Sequence, residues 1–416
     1  MPSSNVRTYD VVVLGAGAAG LMCAVQAGRR GRRTLLLDHA ERIGSKILIS
    51  GGGRANFTNL HCTHENFLSE NPEFARSALA RFSPQDMIAL VEAHRIPYHE
   101  KTLGQLFCDR TARDLVTLFE RECISAGVHI ELSTNLRALT RCATPTSARF
   151  SLQTSAGEVH ATSVVVATGG LSIPKMGATG LGYDLARQFG LRVVEPRPAL
   201  VPLTFAAQDR DLWCDLAGVA AEVQATAQRP GTRRRGVNPH IRFREKMLIT
   251  HRGLSGPAIL QISSYWREGQ DLTIDLAPGM DVLRTTETAV REREPAAVLV
   301  ALRAALPARL ADRFLDQAIA EGVLPATRSA LSNAALSRLE AKLHAWTIRP
   351  AGSEGFSKAE VTAGGVDTAA LNPQTLEARQ VPGLFFIGEV VDVTGWLGGY
   401  NFQWAWASGF CAGQVS

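Results

Sequence analysis

Residues 10–38 read DVVVLGAGAAGLMCAVQAGRRGRRTLLLD, and the order of their parts decides the fold. The apolar run 10–14 predicts a buried strand, GAGAAG at 15–20 a turn that opens a helix, and 34–37 a second strand ending at Asp38. Strand, glycine turn, helix, strand and acid in that order are the parts of a dinucleotide-binding βαβ unit. Gly15 makes the turn. Gly17 lets backbone N–H groups approach a pyrophosphate on the positive end of the helix, and Gly20 permits close packing of helix on strand. Asp38, 23 residues beyond Gly15, is placed to accept hydrogen bonds from ribose hydroxyls. A purely structural turn needs neither the acid nor both strands, so a ligand is the better reading. Which dinucleotide it holds is left open by this stretch.

At 416 residues the chain has room for about two or three domains, and 45% hydrophobic residues suit a large core. A net charge of +5 and a pI near 8.9 are mild for this size, with no long basic tail, so nucleic acid is not indicated as a partner. Seven scattered cysteines without a CxxC pair suit a reducing compartment and argue against a dithiol redox centre. The first nine residues are short and polar, and no run of about 18 apolar residues follows. A cytoplasmic protein without a membrane partner is expected.

After Asp38, residues 41–59 (ERIGSKILISGGGRANFTN) read as a loop. Three consecutive glycines, Gly51, Gly52 and Gly53, carry a large ordering entropy, which a bland turn does not justify. The preferred reading is a backbone surface pressed on a flat or anionic ligand, with Lys46 and Arg54 supplying charge and Asn56 and Asn59 beside them. His61, Cys62 and His64 are too few and too close for a metal site, and none is expected. Ser83 as N-cap and Pro84 at the first position predict a helix to about residue 95. A second helix is expected over 111–126, stopped by Gly127, then a strand over 129–133. Alternating runs near 149–152 and 158–161 predict a hairpin leading into the buried strand 164–166. That strand ends in Ala167, Thr168, Gly169 and Gly170, at the end of a sheet where such folds bind ligands. The glycines of 177–190 follow a loop instead of a strand, so a second nucleotide fingerprint is rejected.

The texture changes near residue 190. Short β-like runs (201–205, 221–226, 246–250, 272–275) separated by Pro and Gly make a β-rich insert to about 280. Ala, Leu and Arg at helical spacing (Leu302, Leu306, Leu310, Phe314, Ile319) make a helical part to about 350. Thus residues 1–190 and 351–416 are expected to form one domain, interrupted by an insert at 191–350 on the substrate side. His251 is a candidate base by its ordinary pKa, against the commoner role of a structural hydrogen-bonder. The run Arg233 to Arg235 reads as a solvated loop. After residue 350 the α/β texture returns. Residues 384–387 predict a strand ending in Gly388 and Glu389, and a glycine-rich turn at 395–399 leads to Tyr400, Asn401 and Gln403 at the start of the last helix. A free helix N-terminus there offers a positive dipole end, worth about 0.3–1 kcal/mol to a nearby negative charge. The N1 and C2=O region of a reduced flavin has that charge, and Glu389 is placed to meet ribityl hydroxyls.

Six stretches, GAGAAGL (15–21), KILISGGGRANFTN (46–59), ATGG (167–170), THRGLSGPAIL (250–260), VTAGGV (361–366) and GLFFIGEVVDVTGWLGGYNFQWAWASG (383–409), together resemble the YhiN-type flavoproteins, also called BaiN-like NAD(P)/FAD-dependent oxidoreductases. The resemblance covers nearly the whole chain, and its last motif is the most specific. It implies an α/β fold with a glutathione-reductase-like FAD domain of Rossmann type, interrupted by a β-rich plus helical insert. It also implies FAD at Gly15, Gly17, Ala18, Ala19, Gly20 and Asp38; at Lys46, Gly52, Gly53, Arg54 and Asn56; at Ala167, Thr168 and Gly169; and at Gly388, Glu389, Gly399, Tyr400 and Asn401. Two positions depart from the family pattern. Ala55 stands where SGGGRCN has cysteine, so no thiol role carries over in that loop, and Leu181 stands where TGDG has aspartate.

The expected activity is hydride transfer between flavin and a small organic substrate such as an enone, at a site between FAD domain and insert, with NAD(P)H as a transient reductant. No second Rossmann fingerprint exists for a nicotinamide, which would then visit the substrate's pocket. A flavin amine oxidase using dioxygen is the alternative within enzymes. An RNA-associated flavoprotein, suggested by Arg233 to Arg235, Arg242 and Arg244, and a flavin binder without turnover are readings of other classes. Tyr400, His251 and Arg54 are the catalytic candidates.

Overall fold

Val11, Val12 and Val13 are wholly buried, and so are Leu35 and Leu36 of the second strand, because both strands lie inside a sheet covered on its two faces. Each such side chain contributes about 1.5–3 kcal/mol by leaving water. The computed structural model describes residues 6–142, 148–228, 239–283, 295–325 and 331–416. The chain divides into one unit made of Met1–Pro198 with Glu360–Ser416 and another of Ala199–Ala359.

In the first unit the strand Arg7–Leu14 pairs in parallel with Thr34–Leu37 on one side and with Gly157–Val166 on the other. Thr34–Leu37 pairs in parallel with His129–Glu131. The strand Gly157–Val166 divides its far edge. Residues 157–161 pair antiparallel with Phe150–Thr154, and Val164, Val165 and Val166 pair in parallel with Leu384, Phe385 and Phe386. The last part of the chain therefore completes the sheet begun by the first.

The helix Ala18–Arg29 is buried from Ala18 to Gly28, since it lies against the sheet on one side and the C-terminal helix Tyr400–Gly413 on the other. Glycines permit that approach. A Cβ on Gly409 would stand 2.4 Å from the Ala19 carbonyl oxygen, and one on Gly413 2.6 Å from that of Cys23.

Residues 41–59 are more regular than expected for a loop. They hold a short helix Ser45–Ile49, a 3-10 turn Ser50–Gly53 and a strand Asn56–Asn59, which joins Gln105–Cys108 and Tyr98–Glu100 in a three-stranded sheet. Ile47 and Phe57 are buried as isolated apolar residues, too widely spaced to show a period; the strand exists because residues 105–108 pair with it.

In the second unit seven strands form an antiparallel sheet in the order Trp346–Ile348, Leu272–Asp275, Ala220–Gln228, His240–Ile249, Gly253–Ser255, Leu203–Thr204, Gly352–Ser353. Alternation is strict on the central hairpin. Val223, Ala225, Ile241, Phe243 and Met247 are buried, while Glu222, Arg242, Arg244 and Lys246 are exposed. The helix Pro257–Ser263 packs on this hairpin. The helical part contains Pro295–Ala305, Ala308–Ala320 and Asn333–His344. His344 anchors the last of these, its Nδ1 lying 2.8 Å from Asp275 Oδ1 and its Nε2 3.0 Å from Glu340 Oε1. Arg233 to Arg235 lie outside the described residues.

Candidate cofactor site

The site grows from the first turn. Gly15 has φ +111°, and a Cβ there would stand 2.4 Å from the Ala167 carbonyl oxygen; one on Gly20 would stand 1.9 Å from that of Gly15. A Cβ on Gly17, by contrast, would meet nothing within 4 Å. Turn and helix thus leave open space in front of the helix N-terminus, where no side chain caps the first N–H groups of Ala18, Ala19 and Gly20. Asp38 closes the turn from the other side. Its Oδ2 accepts the Ala16 N–H at 2.6 Å and its Oδ1 the Ala40 N–H at 2.8 Å, which leaves each oxygen a further lone pair for a hydroxyl.

The triple glycine is held in left-handed backbone, Gly51 at φ +55° and Gly52 at +67°, which only glycine adopts without strain. Gly52 and Gly53 again face open space. The Arg54 guanidinium is exposed and makes no hydrogen bond or ion pair with the described residues. The Asn56 side-chain amide meets that of Gln105 at 3.1 Å. Ala55 is fully buried at φ +46°.

Lys46 reaches from this segment to the other end of the chain, its Nζ lying 2.7 Å from Glu389 Oε2 and 2.6 Å from Ser172 Oγ. Glu389 Oε1 accepts from Ser172 Oγ at 3.0 Å and from the Thr362 N–H at 2.8 Å. Thr362 Oγ1 in turn accepts the N–H groups of Leu171 and Ser172. Glu389 is therefore engaged by protein donors, with its remaining lone pairs as its capacity for a ribityl chain. Thr168 completes this region. Its Oγ1 is buried and has no hydrogen-bond partner, the one buried unsatisfied side-chain atom among the residues singled out in the sequence for FAD. It lies against Gly182, where a Cβ would stand 2.3 Å from it, and a buried hydroxyl left alone costs about 1–3 kcal/mol. Neighbouring Gly169 stands at φ +74° with only Glu389 Oε2 near its missing Cβ, at 4.0 Å.

The C-terminal helix brings its N-terminus to the strand Asn56–Asn59. A Cβ on Gly399 would stand 2.4 Å from the Thr58 carbonyl oxygen. Asn401 holds the preceding turn, accepting the Gly395 N–H at 2.8 Å and donating to the Gly395 carbonyl at 2.9 Å. Tyr400 is 7% exposed, its ring edge-on to those of Phe67 and Trp396. Gly388 donates its N–H to Ser408 Oγ at 3.0 Å and accepts from Trp404 Nε1 at 3.0 Å, which fixes the loop after the last strand. Gln403, buried, accepts from Thr58 Oγ1 at 2.6 Å and donates to the Phe82 carbonyl at 2.8 Å.

The first unit thus brings together residues from four distant stretches. His251 belongs to the second unit, exposed in the turn between two strands. Ser172, Thr362 and Gln403 were not singled out as site residues in the sequence. Ser172 lies just beyond ATGG, Thr362 within VTAGGV and Gln403 in the first turn of the last helix, and a hydroxyl's partner 190 residues away is not visible in a pattern. Asp392 is another such residue. It is 4% exposed and accepts the Glu70 N–H at 2.8 Å, and burial pushes its carboxyl up to about 6 against that bond. Among the described residues no group of three or more His, Cys, Asp or Glu could hold a metal ion, and no helix is long and apolar enough to cross a membrane.

The model of the HI0933-like protein Rossmann domain matches residues 9–415. The chain belongs to this family. The HI0933-like chain is 45% identical over 98% of its length to a ribosomal RNA dihydrouridine synthase of Escherichia coli, of which it also covers 98%, and 42% identical over 97% of its length to one of Haemophilus influenzae, covering 98% of it. It is 30% identical over 97% of its length to a 3-dehydro-bile acid delta(4,6)-reductase of Clostridium scindens, covering 98% of that protein. It is an FAD-dependent oxidoreductase with a Rossmann-type FAD domain. The open space at Gly17, Gly52 and Gly53 fits that cofactor.

Proposed function

We propose that this protein reduces the C5=C6 bond of a uridine in ribosomal RNA to give dihydrouridine, with NAD(P)H as electron source. Uridine, NAD(P)H and a proton would yield dihydrouridine and NAD(P)+. The observation that carries this reading is 45% identity, end to end, with a relative named for that product. Bound FAD supplies the two-electron hydride chemistry of such a reaction. In uridine the C5=C6 bond is conjugated to the C4 carbonyl, so it is the nucleoside counterpart of the enone expected from the sequence.

The chain's own residues bind and polarise. Ala18, Ala19 and Gly20 offer N–H groups to the diphosphate, and Asp38 offers lone pairs to the ribose. Gly52, Gly53, Arg54, Asn56 and Lys46 form one wall, and Ala167, Thr168, Gly169, Gly388 and Glu389 another. The helix N-terminus at Gly399, Tyr400 and Asn401 favours negative charge on the reduced ring. Tyr400, Arg54 and His251 remain the side chains proposed to act on substrate.

The test uses rRNA from a strain lacking this chain, treated with the purified yellow protein and NADH or NADPH, digested to nucleosides and weighed by mass spectrometry. A uridine that gains two hydrogens is expected; no gain with either nucleotide sinks the proposal. A second reading, a reductase of small enones, is favoured by the bile-acid relative. It would show as loss of a 3-oxo-4-ene steroid with the rRNA unchanged. Anaerobic bleaching of the flavin by an amine, with NAD(P)H inert, would instead mark an amine oxidase.

A further inference from the structure

On the strand His240–Ile249 alternation sends His240, Arg242, Arg244 and Lys246 to the solvent face. Residues two apart stand about 6.6–6.8 Å from one another on that face, so the four side chains form a straight row about 20 Å long. The facing strand sets Gln228, Thr226, Gln224 and Glu222 opposite them in register, and the next adds Thr273 and Asp275. Both carboxylates are engaged. Glu222 accepts from Arg244 Nε at 2.9 Å, and Asp275 holds His344. Arg242 and Lys246 have no ion pair or side-chain hydrogen bond among the described residues. Among the described residues their strand is paired on its other side at Leu248 and Ile249, and the row stands on its solvent face.

The charge of the chain is gathered in the same unit. Residues 199–359 hold 21 Lys and Arg against 17 Asp and Glu, an excess of four in a chain whose total is +5. The whole-chain value, too mild to indicate nucleic acid, averages a nearly neutral cofactor unit with this one. A solvent face charged only for solubility would be served by charges of either sign. Here the outward positions from 240 to 246 carry cations or histidine alone, beside glutamine and threonine groups suited to phosphate and 2′-hydroxyl oxygens.

We infer that the row His240, Arg242, Arg244 and Lys246 is a surface that holds RNA by its phosphates, with Arg242 and Lys246 as the cations available for contact. The inference rests on the rRNA reading above and adds to it the place where substrate is gripped. The test is the holoenzyme carrying Arg242→Gln and Lys246→Gln, with Arg121→Gln and Arg137→Gln, two exposed arginines of the first unit, as a charge-matched control. Filter binding to protein-free rRNA across a salt series gives the slope of log K on log salt. Removing two phosphate contacts lowers that slope by about 1.4–1.8 and weakens binding about tenfold or more near physiological salt. KM for rRNA rises in step, while flavin content, melting temperature and kcat at saturating RNA stay at wild-type values. The surface is overturned by a double variant with wild-type slope and KM, or by a control that changes as much. Wild-type protein that reduces no rRNA uridine overturns the functional reading instead, so the two failures are told apart.

Discussion

The two units recognise by different means. In the first, glycines and helix ends shape the cavity: Gly15, Gly20, Gly399 and Gly409 all stand where a Cβ would come within 2.5 Å of a carbonyl oxygen. In the second, the backbone is an ordinary antiparallel ribbon, and what distinguishes it is the set of side chains on its outer face. Backbone recognition tolerates no added atom, whereas recognition by exposed side chains is graded and loses one contact at a time. The difference predicts how each unit fails.

The largest effect is expected from Gly20→Val. Its Cβ would overlap the Gly15 carbonyl oxygen, an overpacking that costs about 3 kcal/mol or more, and the protein should purify without flavin. Gly17→Ala sharpens the comparison, because its Cβ meets no protein atom. The apoprotein should melt as wild type while FAD affinity falls about tenfold, read by fluorescence titration; an equal loss of apoprotein stability would break the claim that Gly17 serves the ligand and Gly20 the fold.

Asp392 comes next. Its folded value near 6 lies above the unfolded value of about 3.9, so its stabilising contribution is fully present below about pH 4 and is lost as pH rises through about 6. Asp392→Asn should therefore be more stable than wild type by about 2–3 kcal/mol at pH 8, with the gap closing toward pH 4 in urea melts. A gap independent of pH would show that the carboxyl is solvated.

Lys46→Met removes the cation facing Glu389, and the loss should be about 1 kcal/mol because Lys46 is partly exposed. FAD should then dissociate several-fold faster, as followed by dilution in a fluorimeter. The smallest effect lies in the second unit. Burial alone would lower the His344 pKa, but its bonds to Asp275 and Glu340 raise it overall. Its stabilisation is present below the unfolded value of about 6.5 and is lost as pH rises through the folded one. His344→Gln should erase that pH dependence from thermal melts without altering flavin content.

Much of the first unit was legible because its determinants are local. Residues 34–37 form a strand with the expected ends, and Tyr400 opens the last helix, since glycine turns and apolar runs act over a few residues; in the second unit the strand 272–275 also has the expected ends. Residues 56–59 were hidden because their partner strand lies about 50 residues on. The strand expected over 246–250 begins six residues earlier, at His240, since alternating charged residues look like loop until the facing strand buries Ile241 and Phe243.

By itself, then, the sequence determined the βαβ unit, the glycine-rich loops at both ends of the chain and, by their resemblance to a family, the flavin. Such signals are short-range, and each glycine marks a backbone need that no other residue meets. Only the tertiary structure decided that Lys46, Ser172, Thr362 and Glu389 share one network, that the Thr168 hydroxyl is left without a partner, and that four basic residues stand in a row on one solvent face. These depend on which distant strands pair and in what register, and a shift of one residue would turn every side chain to the other face.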